Sequence, residues 1–452
     1  MSASKVTQES KLTVVSSRPV SYGKTHKLSA LDHGMGFHTL HFIFYYKNKD
    51  KWFESFELDP LRESLSEVLS VYPTITGRLG NGDGNWEVRC NDAGVRVIKA
   101  NVDTTLDEWL STSSHFVYDE ADLIAWDHMP LDYNTWSPFQ IQINRFKEGG
   151  VAIGLSCSHM LADLTCASSF FKSWSQTYRH FPISHPPFCT PITTSSPLPN
   201  NIANSFSKPQ TSIISSKNMA TSTFKFSNSI IKHCLSKIQN TCPNATPFDF
   251  LTALFWTRVI HLKPSKSQSQ SHSLSICRDF RKLIKPSLPI GFFGNALHFS
   301  ELSLKVEDME NDELGNIAKQ IHNHLKEITE EEILSSIEWF ESQKESEGGK
   351  FLTPKCMYGS ELTCVYMEEE KETESLLYDA MFSDNEKPAH VSCRVGNVGG
   401  EGLIMVMPSM ERGFARTVIA MLPEEELEKL SNDQEILKLE PTIILAGCRL
   451  QH

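Results

Sequence analysis

The chain has 452 residues, of which 40% are hydrophobic and 22% charged, with a formal net charge of −12. Single hydrophobic cores stop growing at roughly 250–300 residues, so this length predicts two or three units. The negative charge argues against a general nucleic-acid-binding protein and against electrostatic adhesion to an anionic membrane.

Eleven cysteines are scattered without a C-x-x-C pair or a Cys/His cluster at zinc spacing. We therefore expect reduced thiols and no metal site. Met1–Thr13 has no apolar segment like that of a secretory signal, and no apolar run approaches the roughly 20 residues of a membrane span. These features predict a cytoplasmic protein without a transmembrane segment.

The chain begins with alternating strand and helix patterns. Thr13–Ser17 and His38–Tyr46 carry the β-branched and aromatic residues typical of strands. Asp59 and Pro60 form an N-cap and first-turn pair that predicts a helix. This helix has to end before Tyr72-Pro73, because proline disfavours helical backbone in the residue that precedes it.

Four strands and a helix are predicted next. Trp86–Arg89 and Val95–Ile98 have the pattern of a short hairpin. Phe139–Phe146 and Val151–Cys157 are two further strands joined by a glycine-containing turn. Leu161–Tyr178 has the apolar spacing of a helix.

Residues 181–216 are rich in Ser, Pro, Thr and Asn, and we interpret them as a crossover linker between an N-terminal lobe, 1–180, and a C-terminal lobe, 217–452. The glycine-rich segment Gly396–Gly402 is interpreted as a hairpin turn. Strand–helix alternation in both lobes predicts an α/β fold. The predicted elements of the second lobe are strands at Thr221–Phe226, Leu362–Met367, Val391–Val395, Leu403–Met407 and Thr417–Met421, and helices at Ile230–Ile238, Pro247–Ile260, Asp308–Ile333 and after Pro423.

Two His-x-x-x-Asp sequences lie in the first lobe. His159–Asp163 follows an apolar strand, whereas His128–Asp132 lies in a polar segment that contains proline. Histidine suits proton transfer near neutrality because its ordinary pKa is about 6.5. With 17 histidines in the chain, the pattern also arises by chance, and on its own it leaves a structural and a catalytic role for His159 equally open. We interpret His128–Asp132 as the chance occurrence.

Four further segments carry a family resemblance. They are LSALD at Leu28–Asp32, YPTITGRL at Tyr72–Leu79, DFR at Asp279–Arg281 and GFFGNA at Gly291–Ala296. Together with His159–Asp163, they resemble in sequence and in order the motifs of the plant BAHD acyl-CoA-dependent acyltransferases. The resemblance spans most of the chain and is far more specific than the His-x-x-x-Asp pattern alone.

The resemblance implies a two-lobed fold of the chloramphenicol-acetyltransferase type with a channel between the lobes. It implies acyl-CoA as co-substrate, no tightly bound cofactor and a catalytic His159 that acts as general base toward an alcohol or amine. It further implies that Asp163 anchors the motif by pairing with Arg281. The residues that contact coenzyme A are not identified.

One signature of the family is eroded. The family carries D-F-G-W-G before a Lys-Pro pair, and here Tyr378–Pro388 retains the pair but lacks the tryptophan and the glycines. Leu164 stands where the family commonly has glycine. Drift in a loop remote from the chemistry is one explanation, and membership of a subgroup is the other. Cys90–Arg96 and Tyr358–Thr363 resemble the Eceriferum/Glossy-type proteins of cuticular wax synthesis.

The resemblance to this subgroup implies handling of very-long-chain acyl-CoA in fatty-acid elongation, with an elongase condensing enzyme as candidate partner. We expect a monomer with no nucleic-acid partner, cytoplasmic or peripheral at the endoplasmic reticulum through a protein partner. Two functions stay open, acyl transfer by this chain, which we favour, and a non-catalytic role beside the elongase. The complete His159–Asp163 motif favours the first, and the eroded signature favours the second.

Overall fold

The computed structural model describes most of the chain. The described residues are 4–18, 23–56, 59–82, 85–111, 119–190, 218–263, 271–311, 313–343, 357–358, 361–367 and 375–449. Most of the predicted linker, residues 191–216, lies outside them.

Strands and helices alternate through both halves of the chain. In chain order the strands β1 to β16 are Val6–Val14, Thr25–Lys27, Thr39–Tyr46, Arg78–Gly82, Asn85–Arg89, Val95–Thr105, Phe139–Lys147, Val151–Ser158, Met219–Phe226, Ser271–Asp279, Leu297–Lys305, Leu362–Tyr366, His390–Gly396, Leu403–Pro408, Arg416–Pro423 and Thr442–Arg449. The helices α1 to α11 are Ala30–Gly34, Pro60–Leu69, Leu106–Ser111, Leu164–Tyr178, Asn228–Ile238, Pro247–Leu262, Val306–Asn311, Leu314–Glu327, Glu330–Ser342, Glu424–Ser431 and Gln434–Leu437. Two short 3-10 turns cover Glu120–Leu123 and Tyr133–Thr135.

The strands form three sheets. The first has the order β1-β6-β7-β8-β3-β13, the second β11-β10-β12-β14-β15-β9-β16, and the third β2-β5-β4. One strand crosses between the halves of the chain, since β13, from the second half, pairs antiparallel with β3 of the first sheet. The first sheet therefore contains residues from both predicted lobes.

Hydrophobic clusters cover both faces of the first sheet. On one face, Phe44 of β3 stacks on Phe171 of α4, within a large cluster that extends to the second sheet. On the other face, Tyr45 packs in a smaller cluster with Trp109 and with Leu445 of β16. Burial of side chains of this size stabilises the fold by roughly 1.5–3 kcal/mol each. The two sheets are thus joined by apolar contacts.

Several predicted elements agree with the structure for the reasons the sequence suggested. Asp59 caps α2, where its side chain accepts from the backbone N–H of Arg62, and Pro60 occupies the first turn. The predicted strands at 139–146 and 151–157 are β7 and β8, which pair antiparallel.

Both predicted hairpins are wrong. β5 pairs with β4 and β2, whereas β6 pairs with β1 and β7. The segment Gly396–Gly402 connects β13 of the first sheet to β14 of the second. In both cases elements adjacent in sequence enter different sheets, which short-range patterns cannot reveal.

The region Asp308–Ile333 is helical, as predicted, and it is divided among three helices, α7, α8 and α9. Thr329 starts α9 as its N-cap, with its side chain accepting from the N–H of Glu332. The last strand, Thr442–Arg449, was not predicted.

A buried carboxylate ties β13 to the first sheet. Glu120 is 2% exposed. It accepts from Nη2 and Nε of Arg394 at 2.8 and 3.1 Å, from Ser392 at 2.9 Å and from the Tyr45 hydroxyl at 2.5 Å. Arg394 and Ser392 belong to β13 and Tyr45 to β3, so one side chain joins both strands to the 3-10 turn Glu120–Leu123.

We predict that Glu120→Ala lowers the free energy of unfolding by about 3–5 kcal/mol, because it removes the carboxylate hydrogen-bonded to the buried Arg394 and leaves only the more distant Asp119, at 3.7 Å, to offset that charge. Urea unfolding measures the change. The control is Asp107→Ala, which removes an exposed ion pair with Lys47 and should cost no more than about 1 kcal/mol. Equal, small losses in both variants would contradict the role of Glu120.

Candidate active site

The backbone of His159 is fixed on both sides, immediately after β8. Its N–H donates to the carbonyl of His38 at 3.0 Å. Its carbonyl accepts from the Asn295 side chain at 2.8 Å. Asn295 in turn donates through its side chain and its backbone N–H to one oxygen of Asp32, at 2.8 and 2.9 Å. The histidine is thus held by segments from both halves of the chain.

The His159 ring is 0% exposed. Its Nε2 lies 3.0 Å from the hydroxyl of Tyr358, and Nδ1 has no hydrogen-bond partner among the described residues. Burial lowers the pKa of His159, and the negative charge of Asp163 only partly opposes this effect. The ring is therefore neutral at pH 7, the form that a general base requires.

Asp163 is fully buried and caps α4, where its carboxylate accepts from the N–H of Cys166 at 2.9 Å. Arg281 binds both carboxylate oxygens, with Nη1 to Oδ2 at 2.8 Å and Nη2 to Oδ1 at 3.1 Å. The N–H of Ala296 donates to Oδ2 at 2.9 Å. Asp163 is thus engaged by backbone and by Arg281, and it joins the loop after His159 to the segment 281–296.

Arg281 has a second set of partners. Its Nη1 donates to Asp279 at 2.6 Å, and its Nη2 donates to the carbonyls of Phe292 and Gly294 at 3.0 and 3.2 Å. A buried guanidinium with two carboxylates and two carbonyls is well compensated. Together Asp163 and Arg281 form a rigid support beneath the histidine.

His38 lies next to this support and holds Tyr358 in place. Its Nδ1 donates to the carbonyl of Gly396 at 3.0 Å, and its Nε2 accepts from the N–H of Met357 at 2.8 Å. Burial lowers the pKa of His38 to about 3, which agrees with one donating and one accepting nitrogen. The His38 ring meets the Tyr358 ring edge-on, with 4.9 Å between centroids.

A cavity of about 210 Å³ opens beside this region, between the paired strands β3 and β13 and the segment 121–128. Its lining includes Thr39, His41, Trp126, Arg394 and Asn397. Typical small-molecule sites measure roughly 300–1,000 Å³, so this cavity is small and partly polar. His159 and Tyr358 are not part of its lining.

The second His-x-x-x-Asp sequence lies apart from the Asp163–Arg281 pair, and its His128 lines the cavity beside β3 and β13. His128 and Asp132 are both exposed, and Asp132 accepts from the side chain of Asn134. Neither residue contacts the Asp163–Arg281 pair in the part of the chain that the structure describes.

The segment Tyr378–Pro388, which carries the eroded signature, is anchored by hydrogen bonds and aromatic contacts of its own side chains. Asp379 accepts from Lys387 at 2.9 Å and from the N–H of Ser375 at 2.8 Å. Phe382 packs among aromatic rings, stacked on Trp52 with 5.0 Å between centroids and edge-on to Trp174. The loop is therefore packed, although the tryptophan and glycines of the signature are missing.

Sequence reasoning missed Asp32, His38, Asn295 and Tyr358 as parts of the site. Asp32, Asn295 and Tyr358 lie in segments that carry the family resemblance. The sequence therefore indicated that these segments matter, but not which contacts the three residues make. The contacts join residues as far as 263 positions apart, as between Asn295 and Asp32, and only the folded chain reveals them.

Within the described ranges, no group of three or more His, Cys, Asp or Glu side chains is arranged to hold a metal ion. In the same part of the chain, no helix is both long and apolar enough to cross a membrane.

Two sheets joined at a buried His-x-x-x-Asp sequence define the two-lobed acyltransferase fold. Vinorine synthase superposes on the chain with a TM-score of 0.74 at 20% identity, covering 96% of this chain and 98% of that one. F. sporotrichioides TRI101, solved with coenzyme A and T-2, gives a TM-score of 0.68 at 14% identity, covering 92% and 99%. The predicted fold class is confirmed.

The chain belongs to the Transferase family, that of the BAHD acyltransferases, whose profile matches residues 4–437. Protein ECERIFERUM 2 of Arabidopsis thaliana is 26% identical over 451 residues, covering 96% of this chain and 99% of the relative. Protein ECERIFERUM 26-like of the same plant is 26% identical, covering 92% of each. The predicted family is confirmed, and these relatives support the predicted subgroup.

We predict that Asp163→Asn lowers the free energy of unfolding at pH 7 by about 3–5 kcal/mol, since it removes one charge of a buried pair. Burial pushes the pKa of Asp163 upward, but the charge and hydrogen bonds of Arg281 outweigh it and hold the pKa below its ordinary value. A depressed pKa in the folded state stabilises the protein above the unfolded pKa of about 3.9 and loses that effect as the pH falls.

The difference between wild type and Asp163→Asn should therefore be full at pH 7 and shrink as the pH falls below about 3.9. Urea unfolding at several pH values measures it. Asp384→Asn is the control, because it alters a pair with Arg179 in which the aspartate is 74% exposed. A difference that does not depend on pH would contradict the anchoring role of the Asp163 charge.

Proposed function

We propose that this protein handles very-long-chain acyl-CoA in the fatty-acid elongation that supplies cuticular wax. The observation that carries the proposal is the likeness to Eceriferum proteins along nearly their whole length. The loop around Asp379, which lacks the tryptophan and glycines of the family signature, supports the same subgroup. In this proposal an elongase condensing enzyme is the partner, and the chain reaches the endoplasmic reticulum through that protein.

Acyl-CoA is the proposed ligand of the junction between the sheets. The support is the fold shared with TRI101, whose solved structure contains coenzyme A. The net charge of −12 opposes an anionic ligand at long range, so the binding site needs local cationic or backbone donors.

A second candidate is acyl transfer by this chain to an alcohol or amine, and the structure of the motif favours it. His159 is neutral and held on both sides, and Asp163 is anchored by Arg281. In this function Nε2 of His159 takes the proton of the acceptor while the acceptor oxygen or nitrogen attacks the thioester carbon. The carbon–sulfur bond then breaks, and the leaving thiolate takes the proton from His159.

The two candidates differ in what His159→Ala does. Yeast that expresses a plant elongase condensing enzyme would receive wild-type protein, His159→Ala or His128→Ala, and the acyl-chain profile would be measured. We expect all three to lengthen the chains equally, because the proposed partner role does not need proton transfer. The exposed His128 provides the matched control for the loss of a histidine.

Immunoblots verify that the three proteins are equally abundant. Lengthening by wild type and His128→Ala but not by an equally abundant His159→Ala would contradict the partner role and establish the need for His159 in chain elongation.

A further inference from the structure

We infer that the hydroxyl of Tyr358 occupies the position of an acceptor hydroxyl at His159 and keeps the transfer site closed. A general base has to lie within about 2.6–3.2 Å of the atom whose proton it removes. The Tyr358 oxygen is 3.0 Å from Nε2, and both side chains are 0% exposed. An acceptor therefore reaches Nε2 only after Tyr358 has moved.

Several contacts hold Tyr358 in this position. Its ring is edge-on to His38 and to Phe299, with 4.9 and 5.2 Å between centroids. The preceding residue, Met357, donates its N–H to His38. The carbonyl of His38 also accepts from the N–H of His159, so one residue positions both the histidine and the tyrosine that covers it.

The hydroxyl of Tyr358 does not itself serve as the acyl acceptor. Burial raises the pKa of Tyr358 well above its ordinary value, while burial lowers the pKa of His159. Both shifts oppose transfer of the phenolic proton to the imidazole. The contact is therefore one between two neutral groups. The hydroxyl, which also hydrogen-bonds to Cys277, lies where an acyl acceptor would lie and does not react.

Removal of the buried tyrosine should leave a cavity beside Nε2 that is large enough to hold a water molecule. In Tyr358→Ala, a water molecule at Nε2 could give its proton to His159 as its oxygen attacks the thioester carbon of an acyl-CoA. The carbon–sulfur bond would break, and the thiolate of coenzyme A would take the proton from His159. The products are a fatty acid and free coenzyme A, and no further reactant is needed.

The first test measures access to His159 and does not depend on any activity. Diethyl pyrocarbonate reacts with unprotonated imidazole nitrogens, and mass spectrometry reports each histidine separately. The exposed His128 and His233 serve as reactive references, and the fully buried His390 serves as a protected one. In wild type we expect His159 to be as protected as His390.

In Tyr358→Ala we expect the labelling of His159 to rise roughly tenfold or more while His390 stays protected, because only the local barrier is removed. Rapid labelling of His159 in wild type, or continued protection in Tyr358→Ala, would overturn the inference. Increased labelling of both His159 and His390 would show that the variant unfolds, and the inference would then be tested with Tyr358→Phe.

Tyr358→Phe keeps the ring contacts and removes only the hydroxyl. The freed Nε2 should be labelled at least several-fold faster than in wild type, with His390 unchanged. Labelling identical to wild type would overturn the assignment of the hydroxyl as the occupant of the acceptor position.

The second test measures release of the coenzyme A thiol from hexadecanoyl-CoA. We expect Tyr358→Ala to exceed wild type by roughly tenfold or more, a change of about 1.4 kcal/mol in the barrier, and Tyr358→Ala/His159→Ala to fall back to the wild-type rate. Equal release by the double variant would contradict proton transfer at His159. This outcome leaves the elongation proposal untouched, since that proposal is judged by the chain profile in yeast.

Discussion

The site depends on the buried ion pair between Asp163 and Arg281. The two side chains meet at 2.8 and 3.1 Å and come from segments 118 residues apart. The carboxylate also caps α4 and binds the backbone of Ala296. A buried pair of this kind contributes little net stability, but it strongly penalises any arrangement that separates its members. It therefore fixes how the loop after β8 meets the segment 281–296.

The position of His159 follows from this constraint. The segment that carries Arg281 also carries Asn295, which holds the carbonyl of His159 and is itself bound by Asp32. On the other side, His38 holds the N–H of His159 and the segment of Tyr358. Proton-transfer geometry is thus present, but a side chain of the same protein occupies the contact. A family member that serves an elongase without transferring acyl groups could retain such a histidine for its structural contacts.

Local signals in the sequence were sufficient for elements whose causes are local. The Asp59 cap and Pro60 located α2, and the apolar pattern before His159 located β8. Local sequence signals failed where the pairing of a strand depends on residues that are distant in the sequence. Nothing near Val95 shows that its strand joins β1 and β7, and nothing near His390 shows that its strand inserts beside β3 through Arg394 and Glu120.

The residues of the candidate site also fall into those that the sequence identified and those that only the folded structure identified. His159, Asp163 and Arg281 were identified through the resemblance, because they stand in motifs with a fixed order. Tyr358 was quoted only as part of a segment typical of the subgroup. Its contact with His159 spans 199 residues, and no residue near Tyr358 in the sequence indicates that partner. The closure of the site could therefore not be predicted without the folded structure.

The central claim is that His159 is a neutral, closed histidine, and nuclear magnetic resonance of the protein with ¹⁵N-labelled histidines tests it most directly. The His159 resonances would be assigned by their loss in His159→Ala and followed from pH 8 downward. Burial lowers the pKa of His159 against the opposing charge of Asp163, so the ring should stay neutral, with one nitrogen protonated, through and below pH 6.5. A transition near 6.5, as in a solvated histidine, would contradict the account.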